Sequence, residues 1–150
     1  MNLRTLSTLI LAGAALTGCT TVNKPGPDSR TYPETLRQAA VADIQVRRDG
    51  PTLTLTNTTA RAFGPSTMWL NARFAMKLEG FAVGETLELD SRDFKDEYGD
   101  SFKGGGFFAW HNPERLVLAQ LETAPVIAVE GQPTDGLQMI GLIVVDGRPN

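Results

Sequence analysis

Few residues in this chain are able to do chemistry, and their scarcity is informative. There is one cysteine, Cys19, and one histidine, His111. With no second His or Cys to join it, His111 would need carboxylates for nearly every other zinc ligand, an unusual set. A Ser-His-Asp arrangement would have to pair it with Ser29, Ser66, Ser91 or Ser101, and no nucleophile-elbow motif is present. His111-Asn112-Pro113 reads more plainly as a turn. Five carboxylates, Asp90, Asp93, Asp96, Glu97 and Asp100, fall close together around Gly99. Asp93, Asp96 and Asp100 are the candidate oxygen ligands for a hard cation such as Ca²⁺, although the spacing is not that of an EF-hand loop. A carboxylate pair could also serve glycoside hydrolysis, but such a pair must flank a cleft, which neighbours on one loop do poorly. Arg92, Lys95 and Lys103 lie among them, as in a solvated loop. No cofactor is expected.

A second group is aromatic. Phe102, Phe107, Phe108 and Trp110 surround Gly104-Gly105-Gly106, and Trp69 lies between Met68 and Leu70. Consecutive Phe107 and Phe108 in a strand must face opposite ways, so one needs a cover other than the core. Trp69, Phe107, Phe108 and Trp110 are therefore the candidate ligand-binding residues, able to stack on a glycan or anchor a protein partner. Packing in the core is the plainer account. The triple glycine follows no strand–helix pattern, so it reads as a flexible connection and not a phosphate loop. Asn57-Thr58-Thr59 matches a glycosylation acceptor but reads as a turn.

Cys19 gains meaning from what precedes it. Arg4 and the α-amino group give a positive start, and Leu6 to Leu16 is mostly apolar. That run has the length of a signal-peptide core and falls short of the roughly 20 apolar residues that span a bilayer. It ends in Leu16-Thr17-Gly18-Cys19, which resembles the lipobox of bacterial lipoproteins. The resemblance covers residues 1–19. It implies a signal peptide over residues 1–18, cleavage between Gly18 and Cys19, and a diacylglyceryl thioether on the Cys19 sulfur, usually with a further acyl chain on the new amino group. Membrane lipid, held through those chains, is then the first expected partner. Thr20 stands where an Asp would retain many lipoproteins in the inner membrane, which favours the outer membrane, facing the periplasm.

Composition excludes some classes. The chain carries 14 Lys and Arg against 17 Asp and Glu, and loss of Arg4 with the signal segment makes the mature chain more acidic still. Arg47-Arg48 is the one adjacent basic pair, at an expected strand end, so a nucleic-acid partner is not expected. With its single cysteine lipidated, the mature chain can form no internal disulfide, and a domain over residues 34–150 must be held by its core.

The elements that would position these residues are mostly strands. Residues 19–33 hold the lipidated cysteine and a polar linker with three prolines, read as a flexible tether. Pro33 to Ala40 suits one or two helical turns. Asp43–Arg47 and Thr52–Thr56 alternate around Asp49-Gly50-Pro51, predicting a hairpin. Thr67–Asn71, Ala75–Leu78 and Glu85–Asp90 follow as strands. Leu116–Leu121 and Leu137–Val145 are apolar on both parities, as in strands covered on both faces. Roughly seven or eight short strands with Gly, Pro and Asn turns indicate an all-β sandwich or barrel.

The order Leu55-Thr56-Asn57-Thr58-Thr59, Trp69-Leu70-Asn71, Val83-Gly84-Glu85-Thr86-Leu87 and Phe94 to Phe102 is similar to small bacterial lipoproteins and to immunoglobulin-like envelope modules. That resemblance implies a single antiparallel β-sandwich and carries no functional residue with it. With no convergent catalytic set, the expectation is a membrane-anchored, non-catalytic interaction or structural module with an envelope protein as partner. A glycan- or ligand-binding module is the alternative, with a hydrolase behind it.

Overall fold

The computed structural model describes residues 30–105, 110–124 and 136–145. Seven strands follow in chain order: β1 Gln38–Asp49, β2 Thr52–Thr56, β3 Ser66–Leu70, β4 Phe74–Leu78, β5 Thr86–Asp90, β6 Ala119–Thr123 and β7 Gln138–Val145. The fold is all-β, and none of the described residues forms a helix long and apolar enough to cross a membrane.

All seven strands share one sheet, in the order β4-β3-β6-β7-β1-β2-β5. Its strands curve into a half-barrel, where a single antiparallel sandwich was expected. The sheet is also mixed. β7 enters between β6 and β1, antiparallel to the first and parallel to the second, with Gln45 opposite Ile143 and Val46 opposite Val144. The apolar run of β7 serves both faces at its start, with Ile140 and Leu142 in the main core and Met139 in a cluster of its own, while Ile143 is exposed. Gly141 packs against Val41, since a Cβ there would lie 3.1 Å from Val41 Cγ2. The pairing of β1 with β7 shifts register on either side of Val41, and such irregularities bend a strand.

The predicted hairpin forms as read. β1 and β2 pair from Val46–Leu55 to Asp49–Thr52, and Gly50 takes the left-handed conformation of the tight turn (φ 55°). β3 and β4 make a second hairpin, closed by Asn71 and Ala72, both at φ 52°. Asparagine tolerates that region, and alanine is strained there. The Asn71 side chain holds the turn in place, donating to the Arg115 carbonyl (2.7 Å) and accepting from the Val117 and Leu118 amides.

Two expected elements move. Residues 33–40 make a single turn, closed by the Leu36 amide on the Pro33 carbonyl (3.1 Å). β1 then begins at Gln38, because Gln38 finds a strand partner at Met139. Tertiary pairing here outweighs the helix propensity of Gln38-Ala39-Ala40. The strand expected over Leu116–Leu121 starts only at Ala119, because Leu116–Leu118 lead into it beside the Asn71 turn.

The concave face holds the main core: Ile44 and Val46 of β1, Leu53 and Leu55 of β2, Met68 and Leu70 of β3, Leu121 of β6, with Phe94 and Phe102 across the opening. After β5 the chain makes a short 3₁₀ turn, Ser91–Asp93, and crosses to the far edge, where Lys95 pairs with Ala75 of β4 through both backbone bonds (2.8 and 3.0 Å). This crossing links the two edge strands and brings Phe102 edge-on to Phe74 at 5.3 Å.

Candidate functional site

The acidic loop holds the cation candidates Asp93, Asp96 and Asp100. Asp96 is buried. Its Oδ2 accepts from Arg73 Nη2 (2.6 Å) and Nε (3.1 Å), and its Oδ1 accepts from the Tyr98 and Asp100 amides (3.0 and 2.8 Å). Burial pushes this carboxyl up, but the Arg73 guanidinium and the two amides outweigh it and hold the group below the usual carboxylate range. The Asp96 carboxylate thus organises its own loop. Asp93 lies in the exposed 3₁₀ turn and Asp100 is exposed. Among the described residues, no three His, Cys, Asp or Glu side chains converge on a point where they could hold a metal ion. Asp90 pairs instead with Arg92, which lowers its carboxyl.

The aromatic candidates separate. Trp69 is fully buried, so it offers no stacking face. Trp110 is 97% exposed. Phe107 and Phe108 lie outside the described residues, as do Gly18 and Cys19. Phe102 fills the core under the Arg48 guanidinium, which stands 5.3 Å from its ring centre. His111 is exposed in the bend after Trp110, and Asn57 is buried, its amide donating to the Arg61, Phe81 and Ala82 carbonyls.

Trp69 leads to polar residues that alternation in the sequence did not single out. β6 reads Ala-Gln-Leu-Glu-Thr, so Gln120 and Glu122 share the convex face while Leu121 enters the core. Both polar residues are buried, and their cover comes from the chain upstream of β1. Glu122 Oε2 accepts from the Trp69 indole (2.8 Å) and from Arg30 Nη2 (2.7 Å). Gln120 Oε1 accepts from the Tyr32 hydroxyl (2.8 Å), and its amide donates to Gln38 (2.9 Å). Tyr32 meets the Trp69 ring edge-on at 5.3 Å, and Arg30 lies over the same ring at 5.7 Å. Arg30 to Pro33, the end of the expected flexible linker, are thus packed on the sheet. A cleft of about 490 Å³ opens beside this network, between Arg30, Thr67, Glu122, Lys77, Glu79 and Leu137. A second, of about 500 Å³, joins Arg73, Asp100, Ser101, Lys103, Asn112 and Glu114. Neither draws His111 together with two loop carboxylates, the geometry a hydrolase would have required.

No protein-family model, curated protein or solved structure matches this chain.

Proposed function

We propose that this chain is an envelope lipoprotein, held through acyl chains on Cys19 in the outer membrane, whose half-barrel is a non-catalytic module for contact with another envelope protein. The observation that carries the reading is Leu16-Thr17-Gly18-Cys19, placed directly after a short apolar run and containing the chain's single cysteine. The thiol is the nucleophile that takes the lipid. Two or three acyl chains, at about 0.8 kcal/mol per buried CH₂, give the stable attachment that one chain does not. The fold is compatible with a short leash, since Arg30, the eleventh residue after Cys19, already packs on the sheet. Mass spectrometry of the membrane fraction should find a chain that starts at lipidated Cys19. Cys19→Ser should leave it unlipidated, and an unmodified wild-type product would sink the proposal.

Trp110 favours a second reading, a module that binds glycan. A tryptophan this exposed is a stacking surface of the kind sugars use. Trp69, its expected companion, is committed to Glu122 and Tyr32, so among the described residues the reading rests on Trp110. Calorimetric titration with soluble envelope glycans should give heat that Trp110→Ala abolishes. Equal heats from both proteins would remove this reading.

A further inference from the structure

Residues 30–37 form a strap over the convex face, immediately ahead of β1. Most of its described backbone bonds are internal: the Glu34 amide to the Tyr32 carbonyl (3.0 Å) and the Leu36 amide to the Pro33 carbonyl (3.1 Å). The Met139 amide donates to the Arg37 carbonyl (2.9 Å) and ties the strap to the sheet. Side-chain contacts add to this tie: Arg30 to Glu122 and Thr67, Tyr32 to Gln120, and Thr31 to Glu97 of the acidic loop (2.6 Å). Beneath it, Trp69, Ala75 and Met139 make a small apolar cluster of their own, apart from the main core, against which Tyr32 and Leu36 pack.

We propose that this strap is a releasable latch, which opens as a unit while the sheet stays folded, baring Trp69 and lengthening the tether. Segments held by few buried apolar contacts and by partly exposed polar ones open at lower cost than the sheet they cover. In the Arg30–Glu122 pair the arginine side chain is 43% exposed and the carboxylate 4%, so water can compete for the arginine, and opening the strap hydrates the carboxylate. Position adds a second reason. The strap lies between Cys19 and β1 along the chain, so a pull on a Cys19 anchor reaches these contacts before any strand pairing. The chain from Cys19 to Arg30 can span at most about 40 Å and the chain from Cys19 to Gln38 at most about 68 Å. The domain would thus have two working heights above its membrane. The change in height rests on the lipoprotein reading; the opening itself does not.

The two parts are tested separately. In the full chain carrying Trp110→Phe, Trp69 is the one remaining indole, and its quenching by acrylamide reports the strap. Urea should make Trp69 several-fold more quenchable while the far-UV dichroism of the sheet is still native. Arg30→Ala with Tyr32→Ala should do the same without urea. A Trp69 that stays shielded until the sheet melts overturns the latch, as does a double variant whose dichroism is lost along with its shielding. For the height, the lipidated protein on vesicles is compared with its double variant by energy transfer from the domain to the membrane surface. Lower transfer in the variant is expected, and equal transfer removes the second height. Absence of lipid on Cys19 defeats the anchored reading and leaves the quenching result standing.

Discussion

Arg48 offers the sharpest test of how this fold is held. It is a charged side chain on the concave face of β1, in phase with Ile44 and Val46, and only 4% exposed. Its guanidinium donates to the carbonyls of Gly50 (2.9 Å), Gly104 (2.6 Å), Glu114 and, more weakly, Lys103 (3.4 Å). One residue therefore clamps the β1–β2 turn to two strands of loop that cross the mouth of the half-barrel. Hydrogen bonds from a charged donor are worth about 1.5–3 kcal/mol each, and a buried carbonyl left unpaired costs about 1–3 kcal/mol. Those near the rim regain water when the arginine is removed, and contributions from one group do not add. We expect Arg48→Ala to cost about 3 kcal/mol, a large share of the 5–15 kcal/mol typical of a domain. Arg48→Lys should cost roughly half as much, because an ammonium cannot span the fork of acceptors. Urea unfolding of the full chain, followed by far-UV dichroism, measures this. With a slope near 1.5 kcal/mol per M, Arg48→Ala should lower the midpoint by about 2 M. Arg47→Ala, one residue away on the exposed face, should stay within about 0.5 kcal/mol of the parent. Equal shifts for the two alanine variants would refute the clamp.

Two further outcomes follow from the same region. The Ser91 hydroxyl is fully buried and has no hydrogen-bond partner among the described residues, so Ser91→Ala should be neutral or stabilising by up to about 1 kcal/mol in the same urea assay, and a loss above that size contradicts the assignment. A Cβ on Gly104 would lie 2.5 Å from the Ser91 Oγ and 3.2 Å from the Pro51 Cα; Gly104→Ala should cost about 1–3 kcal/mol, with part of that cost recovered in the Ser91→Ala background. Asp96 sets an acid limit. Its folded carboxyl lies below the usual range, so its contribution is complete above about pH 4, the ordinary carboxylate value, and is lost as pH falls through the folded value. Asp96→Asn should therefore be less stable than the parent at neutral pH, with the gap closing in acid; a gap that stays constant from about pH 6 to pH 2.5 argues against the Arg73 pairing as its source.

Local chemistry was legible where one strand or one turn decides it. The β1–β2 hairpin could be read from alternation on either side of Asp49-Gly50-Pro51, because turn geometry fixes its register. The apolar run expected to be covered on both faces over Leu116–Leu121 is so only in part, since Val117 is exposed and the second face of β6 is made of Gln120 and Glu122; in β7 Met139 and Ile140 are covered while Ile143 is exposed. Arg48 is in phase with Ile44 and Val46 but lies one residue past the expected strand Asp43–Arg47, and its charge gave no reason to expect it inside, since most of its acceptors come from residues far along the chain. Asp96 could be recognised as one of a group of carboxylates. That its partner would be Arg73, and not a cation, depended on the crossing of the mouth by residues 91–102.

The sequence by itself determined the composition of the chain's chemistry: one thiol soon after a short apolar run, one histidine without companions, and strands alternating around Gly and Asn turns. These are properties of adjacent residues, and adjacency is what a sequence records. Tertiary structure alone decided that the strands form one mixed sheet, because the parallel pairing that makes it mixed joins β1 to β7, with Val46 opposite Val144, at opposite ends of the domain. It also decided that Trp69 is covered and Arg30 is fixed, since both depend on Glu122, which lies 53 residues from the first and 92 from the second. The first of the described residues, Arg30, is thus fixed by a carboxylate on β6, near the other end of the domain.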